Sequence, residues 1–233
     1  MSVEIEVVPE PARACAAMMV GAGADSGHIV LAGGSTPRAA NKEFVAAVQA
    51  AGVDLTGTTF WFGDERCVPP EDDRSNFKMV RQSLLAPLGE DAIGRVVRMA
   101  GELGHSEGAE AYERELTAAG PPNFDLLLLG IGPDGHTASM FPGQESLSER
   151  SRLIVGVPDA GLEPFVPRIS MTLPAIGLAR QVVVLASGDS KADAIATAFG
   201  PNAKPRPEVP SSMLAVHAKQ VTVLTDPAAA ARL

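Results

Sequence analysis

Short β-like apolar runs alternate with segments of helical apolar period along the whole chain, and this alternation limits the fold more than any other feature. The runs fall at 3–8, 28–32, 58–62, 95–99, 124–129, 153–157 and 181–186, with a last one at 220–225. Between them the spacing changes. Cys15, Met18, Met19 and Ala22 make one buried helix face, Ala109, Tyr112, Leu116 and Ala119 a second, and Ala192, Ile195, Ala196 and Phe199 a third. Ser106 is expected to cap the second helix, and the Gly-Pro-Pro run at 120–122 to stop it. Strand followed by helix, repeated, is the βαβ unit, so an α/β fold on a mostly parallel sheet is predicted.

A chain of 233 residues fits one large domain or two small ones. The Pro and Gly clusters at 69–70, 120–122 and 201–210 are too short for linkers and no repeat is present, so one domain spanning residues 1–233 is expected. The formal charge of −9 repels a phosphate backbone over most of the surface, which argues against a nucleic-acid partner and makes any anion site local. Cys15 and Cys67 have neither disulfide-framework nor zinc spacing. A reducing, cytoplasmic compartment fits. The acidic, alternating N-terminus reads as no export signal, and the longest apolar runs are too short to span a bilayer.

In open α/β sheets ligands bind beyond the carboxyl ends of the strands, which directs attention to the polar residues after each apolar run. After 28–32 come Gly33, Gly34, Ser35, Thr36 and Pro37, then Ala40, Phe44, Val45 and Val48 at helical spacing. This is a helix N-terminus with Pro37 expected at its first position. Two glycines admit an anion to the backbone, and hydroxyls and unpaired N–H groups can donate to it; a plain capped turn is the other reading. After 58–62 stand Asp64, Glu65 and Arg66, with Arg74 and Ser75 ahead of another helix. Arg66 can hold a carbonyl or phosphate oxygen with Asp64 or Glu65 orienting it, or the segment is a solvated turn capped by Arg74 or Ser75.

The run 124–129 leads into Gly130-Ile131-Gly132-Pro133-Asp134-Gly135-His136, which contains the dinucleotide pattern GxGxxG. Pro142 and Gly143 leave no room for the long helix that pattern requires, so dinucleotide binding is rejected. A glycine-rich turn presenting Asp134 and His136 suits proton transfer, the carboxylate fixing the tautomer of the imidazole. The alternative is a histidine bonded to its own loop. Arg168, in a segment read as loop, and Lys191, after 181–186, are placed to supply the cations that an anion site needs in an acidic protein. His28, His105 and His217 lack adjacent acids and receive no role.

Taken together, LAGGSTPR, FWFGDERCVPPEDDRSNF, LLLLGIGPDGHTASMFP and VPRISMTLP closely resemble the 6-phosphogluconolactonases of the glucosamine-6-phosphate deaminase/6-phosphogluconolactonase family. The resemblance covers nearly the whole chain, with the motifs in the family's order. It implies a single-domain, three-layer, modified Rossmann-like α/β fold of the glucosamine-6-phosphate deaminase type. It also implies hydrolysis of 6-phospho-D-glucono-1,5-lactone by a cytoplasmic enzyme without metal or cofactor. The implied partner is the small phosphosugar lactone alone, with no nucleic acid and no membrane, bound by a monomer or weak homodimer. Catalytic roles fall on His136, Asp134 and Arg66, and substrate contacts on Gly33, Gly34, Ser35, Thr36, Asp64, Asn76, Arg168 and Lys191. Two rivals remain, a deaminase-like isomerase and a non-catalytic phosphosugar-binding regulator. No acid follows His136 through Pro142, and Arg66 stands where the deaminases usually carry Tyr, which favours the lactonase over the isomerase.

Overall fold

A computed structural model describes residues 2–24, 26–118 and 122–233. Strands β1 (Ser2–Val7), β2 (His28–Leu31), β3 (Leu55–Phe62), β4 (Asp64–Arg66), β5 (Ile93–Val96), β6 (Leu126–Leu129), β7 (Ile154–Val157), β8 (Arg168–Met171), β9 (Gln181–Ala186) and β10 (Gln220–Thr225) carry the fold. The helices are α1 (Pro11–Ala24), α2 (Ser35–Ala51), α3 (Asn76–Val80), α4 (Ala86–Leu88), α5 (His105–Thr117), α6 (Leu173–Ile176), α7 (Ala192–Phe199) and α8 (Leu214–His217).

Seven strands form one sheet in the order β1-β10-β9-β6-β2-β3-β5, every pairing parallel. The four leucines of β6 are all buried, which requires cover on both sheet faces and explains why this run shows no alternation. Phe44 of α2 and Cys15 and Met19 of α1 enter the same core. At the start of β2, His28 stacks on Trp61 and accepts a hydrogen bond from its Nε1 at 3.0 Å, a packing role. Among the described residues no helix is long and apolar enough to cross a membrane.

The mostly parallel sheet agrees with the expectation, and the differences have local causes. The run at 153–157 is a strand, but β7 lies in a second, antiparallel sheet ordered β4-β8-β7. Arg168, expected on a loop, begins β8. The run at 95–99 pairs only through Val96, after which the chain leaves the ladder with one bond from Val97 N to Phe60 O. Helix α2 starts at Ser35 with Gly34 as its cap, so Pro37 occupies the third helical position and not the first. Ser106 is not a cap either: α5 begins at His105 after Gly104, and no side chain caps it. Ser75 does cap α3, its hydroxyl accepting from Lys78 N. Ala119 of the second helical stripe, with Gly120 and Pro121 of the expected stop, lies outside the described residues.

Candidate active site

From β2 the chain builds outward through β3 to β5, and from β6 it builds the opposite way through β9 to β10, so the order reverses between β2 and β6. The two strands are neighbours, with Ile29 opposite Leu126 and Val30 opposite Leu127. Loops leaving their carboxyl ends must diverge and leave a crevice between them. A cleft of about 220 Å³ opens there, lined by Gly33, Gly34, Asp64, Arg66, Asn76, His136, Arg168 and Lys191 among others.

The loop after β6 supplies His136. Its Nδ1 lies 2.6 Å from Asp134 Oδ1, and the same oxygen accepts its backbone N–H at 3.1 Å. A carboxylate accepts, so Nδ1 carries the proton and Nε2 is left as the basic nitrogen. Burial pushes the Asp134 carboxyl up, but hydrogen bonding and the charge of His136 outweigh it and hold the group below its ordinary value. Gly132 makes the pair possible, since a Cβ there would sit 2.0 Å from His136 Nδ1 and 2.6 Å from Asp134 Oδ1. The Phe141 ring backs the imidazole at 4.7 Å between centroids. Between them Ala138 is held at φ 49°, a left-handed conformation that costs a non-glycine residue about 1–2 kcal/mol. Ser139 pins the next position, its N–H donating to Ser170 Oγ at 3.1 Å and its hydroxyl to Asp64 Oδ2 at 2.7 Å.

The antiparallel sheet supplies the charge. In the register of β4 against β8, Asp64 faces Ser170, Glu65 faces Ile169 and Arg66 faces Arg168. The two arginines therefore stand opposite one another in the ladder, and like charges so placed cost free energy. Burial pushes Arg168 below the ordinary arginine value and repulsion from Arg66 adds to it, partly offset by Asp64 and Glu65. Arg168 Nε donates to Val166 O at 3.0 Å, and its Nη2 donates to Pro164 O at 2.7 Å and Leu162 O at 3.3 Å. Arg66 Nη1 donates to Arg74 O at 2.5 Å, while its Nε is buried without a partner among the described residues. Lys191, beyond β9, donates from Nζ to Ile131 O at 2.8 Å; burial lowers its ammonium value and Asp134 partly restores it.

Asp64 is fully engaged, since Asn76 Nδ2 donates to its Oδ1 at 3.1 Å in addition to the Ser139 bond. Asn76 in turn faces Gly33, where a Cβ would lie 1.9 Å from Asn76 Oδ1. Glycine at 33 is thus required by close approach. Glu65 does not orient the Arg66 guanidinium. Alternation along β4 turns Glu65 away from the cleft, where it accepts from the backbone N–H groups of Arg66, Asn76 and Phe77 at 2.7 Å each and from Ser75 Oγ at 3.0 Å. Ser35 and Thr36 are separated from the other expected residues. They line a different surface hollow with Glu10, Arg13 and Ser187, while Gly33 and Gly34 line the cleft.

A family model described as glucosamine-6-phosphate isomerases/6-phosphogluconolactonase matches residues 6–224. The chain belongs to this family. Within the glucosamine-6-phosphate isomerase/6-phosphogluconolactonase family it is similar to the 6-phosphogluconolactonase of Mycobacterium tuberculosis, 38% identical over an alignment of 181 residues, with 74% of this chain and 72% of that one covered. The solved 6-phosphogluconolactonase of Trypanosoma brucei superposes with a TM-score of 0.79 at 28% identity, covering 100% of this chain and 99% of that chain. A monomeric glucosamine-6-phosphate deaminase superposes with a TM-score of 0.84 over 100% of both chains, and at 20% identity this likeness concerns the fold alone.

In this family member the structure also draws in residues that sequence reasoning passed over. Ser139 and Phe141 lie within five residues of His136, and the small polar Ser139 gives no sign of its partner Asp64 because the link joins its loop to a strand far away in sequence. Glu163 lines the cleft from a Pro- and Gly-rich stretch without periodicity, so nothing in its neighbours marks it. Cys67 beside Arg66 is a bystander: burial, with help from Glu65, pushes its thiol up to about 11, far from a reactive thiolate.

Proposed function

We propose that this chain hydrolyses 6-phospho-D-glucono-1,5-lactone to 6-phospho-D-gluconate, the lactone-opening step of the oxidative pentose phosphate pathway. The observation that carries the proposal is the Asp134–His136 pair, its second imidazole nitrogen uncommitted, in one cleft with Arg66, Arg168 and Lys191. A base is needed at one end and a phosphate site at the other. The family membership and the lactonase names of relatives at 38% identity support the same reading.

In the proposed course, His136 Nε2 takes a proton from water as its oxygen attacks C1, and Asp134 holds the ring in the productive tautomer. The Arg66 guanidinium is the donor for the developing oxyanion, a role typically worth about 3 kcal/mol. The C1–ring oxygen bond then breaks, His136 returns the proton to the departing oxygen, and the new carboxylic acid ionises to release one proton. A general base adds roughly 10² to 10⁴-fold, enough for an activated ester that already hydrolyses in water. Backbone N–H groups at Gly33 and Gly34, with Lys191 and Arg168, hold the phosphate, and Asn76 and Asp64 shape the sugar end. Ser35 and Thr36 reach the phosphate, on this reading, only through the backbone at the start of α2.

The reading extends to one domain spanning residues 1–233, acting in the cytoplasm as a monomer or weak homodimer without metal or cofactor. The test is proton release on adding freshly prepared lactone to wild type and His136→Ala, with ammonia release from glucosamine 6-phosphate measured in parallel. Wild-type release no faster than the spontaneous rate would sink the proposal, and ammonia release would favour the isomerase. Full turnover by His136→Ala would remove the base assignment alone.

A further inference from the structure

Of the carboxylates at the cleft, Asp134 is occupied by His136, and both oxygens of Asp64 are occupied by Ser139 and Asn76. Glu163 is different: it is exposed and meets no donor among the described residues. It also lines the cleft and, with Arg66, an outer hollow that includes Arg74 and Phe165. Glu163 and Arg66 thus line both cavities together, which puts a negative charge on the same walls as the cation assigned to the C1 oxygen. The backbone of its loop is fixed from below, since Leu162 O and Pro164 O on either side accept from Arg168 Nη2. A charge on an anchored loop acts from a defined place.

The proposed reaction creates an anion at that place. The lactone carries charge only on its phosphate, whereas ring opening and ionisation leave a carboxylate on C1. A cleft with Arg66 at C1 and cations at the phosphate would hold this product more tightly than its substrate and would be inhibited by it. We infer that Glu163 is a product-discriminating residue, whose carboxylate weakens retention of the newly formed C1 carboxylate while leaving the neutral lactone ring almost unaffected. This rests on the lactonase reading above. Glu163 touches no reacting atom; it acts by like-charge repulsion, which rises with the ligand charge nearest to it.

The test compares wild type with Glu163→Gln, an exposed and nearly isosteric change, in initial-rate assays with the lactone and added 6-phosphogluconate. The product inhibition constant is expected to fall about three- to tenfold relative to KM, the range for one like charge several ångströms away in a partly solvated site. The gap between the two proteins is expected to narrow in high salt. Phe165→Ser, which alters the same loop at a side chain that is 71% exposed and outside the cleft, is expected to leave the ratio unchanged. An unchanged ratio in Glu163→Gln overturns the inference. So does a parallel rise of KM and inhibition constant, which marks a sugar-hydroxyl acceptor, and so does an equal shift in Phe165→Ser, which marks loop geometry. Wild type without lactonase activity would instead fail the reading beneath it.

Discussion

Gly132→Ala tests the proposed base without altering any charged group. The new methyl carbon would lie 2.0 Å from His136 Nδ1, 2.2 Å from His136 Cε1 and 2.6 Å from Asp134 Oδ1. Carbon contacts relax at about 3.5–4.0 Å, so the imidazole must retreat by more than about 1 Å, or Asp134 must release it. A displacement of about 1 Å at a reacting group costs about 10²-fold, and complete loss of a general base costs up to about 10⁴-fold. The expected result is kcat lowered by about 10² to 10⁴ with KM within about twofold, because the cations at the phosphate end are untouched. Gly132 is not in the left-handed region, so alanine meets no backbone penalty there. A thermal melt should then move by only a few degrees, the lost glycine freedom offsetting local strain. Proton release from fresh lactone measures the rate, and melting the fold. A variant that melts like wild type and keeps half or more of kcat would refute the claim that the Asp134–His136 geometry carries the reaction.

Other expectations follow from the same contacts. Arg168→Ala is expected to raise KM at least about tenfold and change kcat much less, as for lost binding to a non-reacting group; an unchanged KM removes Arg168 from the site. Glu65→Gln presents an amide N–H₂ to donors at 2.7 Å and should cost about 2 kcal/mol, or roughly 4–8 °C in melting temperature. Burial raises the Glu65 carboxyl, so the native state binds the extra proton, and the stability linked to it is present below the unfolded value of about 4.3 and lost as pH rises through the higher folded value. The gap between wild type and Glu65→Gln should therefore shrink from pH 4.5 upward, and a pH-independent gap would contradict this. For Asp134 the sign is opposite: its folded value is depressed, so its contribution is present above the unfolded value of about 3.9 and lost as pH falls through the lower folded one. Acid unfolding curves of wild type and Asp134→Asn should converge below that range, while kcat of the variant falls at every pH.

The parallel sheet was legible because its inner strands β2, β6, β9 and β10 are buried on both faces and stand out as apolar runs between helical periods. Gln181–Ala186 and Gln220–Thr225 fall where the run of Val and Leu predicts. The antiparallel sheet was only half legible. β4 is three residues long and made entirely of charged side chains, so no apolar alternation marks it. Missing it hid two things. Alternation along β4 separates Glu65 from Asp64 and Arg66, and the register with β8 sets Arg66 against Arg168; neither can be read from spacing along the chain. The loop bearing His136 was legible for the opposite reason, since glycines on both sides of a closely spaced acid and histidine are a local signal. At the start of α2 the motif pointed to the right loop but not to the right residues, because helix geometry carries Ser35 and Thr36 away from the cleft that the two preceding glycines enter.

The two sheets divide the work of the site in a way that follows from their physics. A parallel sheet contributes buried, apolar side chains from its strands, so the polar groups that it brings to the cleft, Asp134, His136 and Lys191, stand on the loops beyond them. The antiparallel strands, one face open to the cleft, can carry Asp64, Arg66 and Arg168 on that face, and on the proposed reading a chain of net charge −9 needs the two arginines there to attract a dianion. Placing two arginines opposite one another is unfavourable, so each must be held. The holding groups are largely neutral: three carbonyls on Arg168, one on Arg66, and Ser139 and Asn76 on the neighbouring Asp64. The Ser139–Asp64 bond is also the direct link between the His136 loop and the charged strand. The placement of His136 relative to Arg66 is therefore tied to a serine hydroxyl on a carboxylate, and on the proposed reading the precision of the site depends on residues that perform no chemistry themselves.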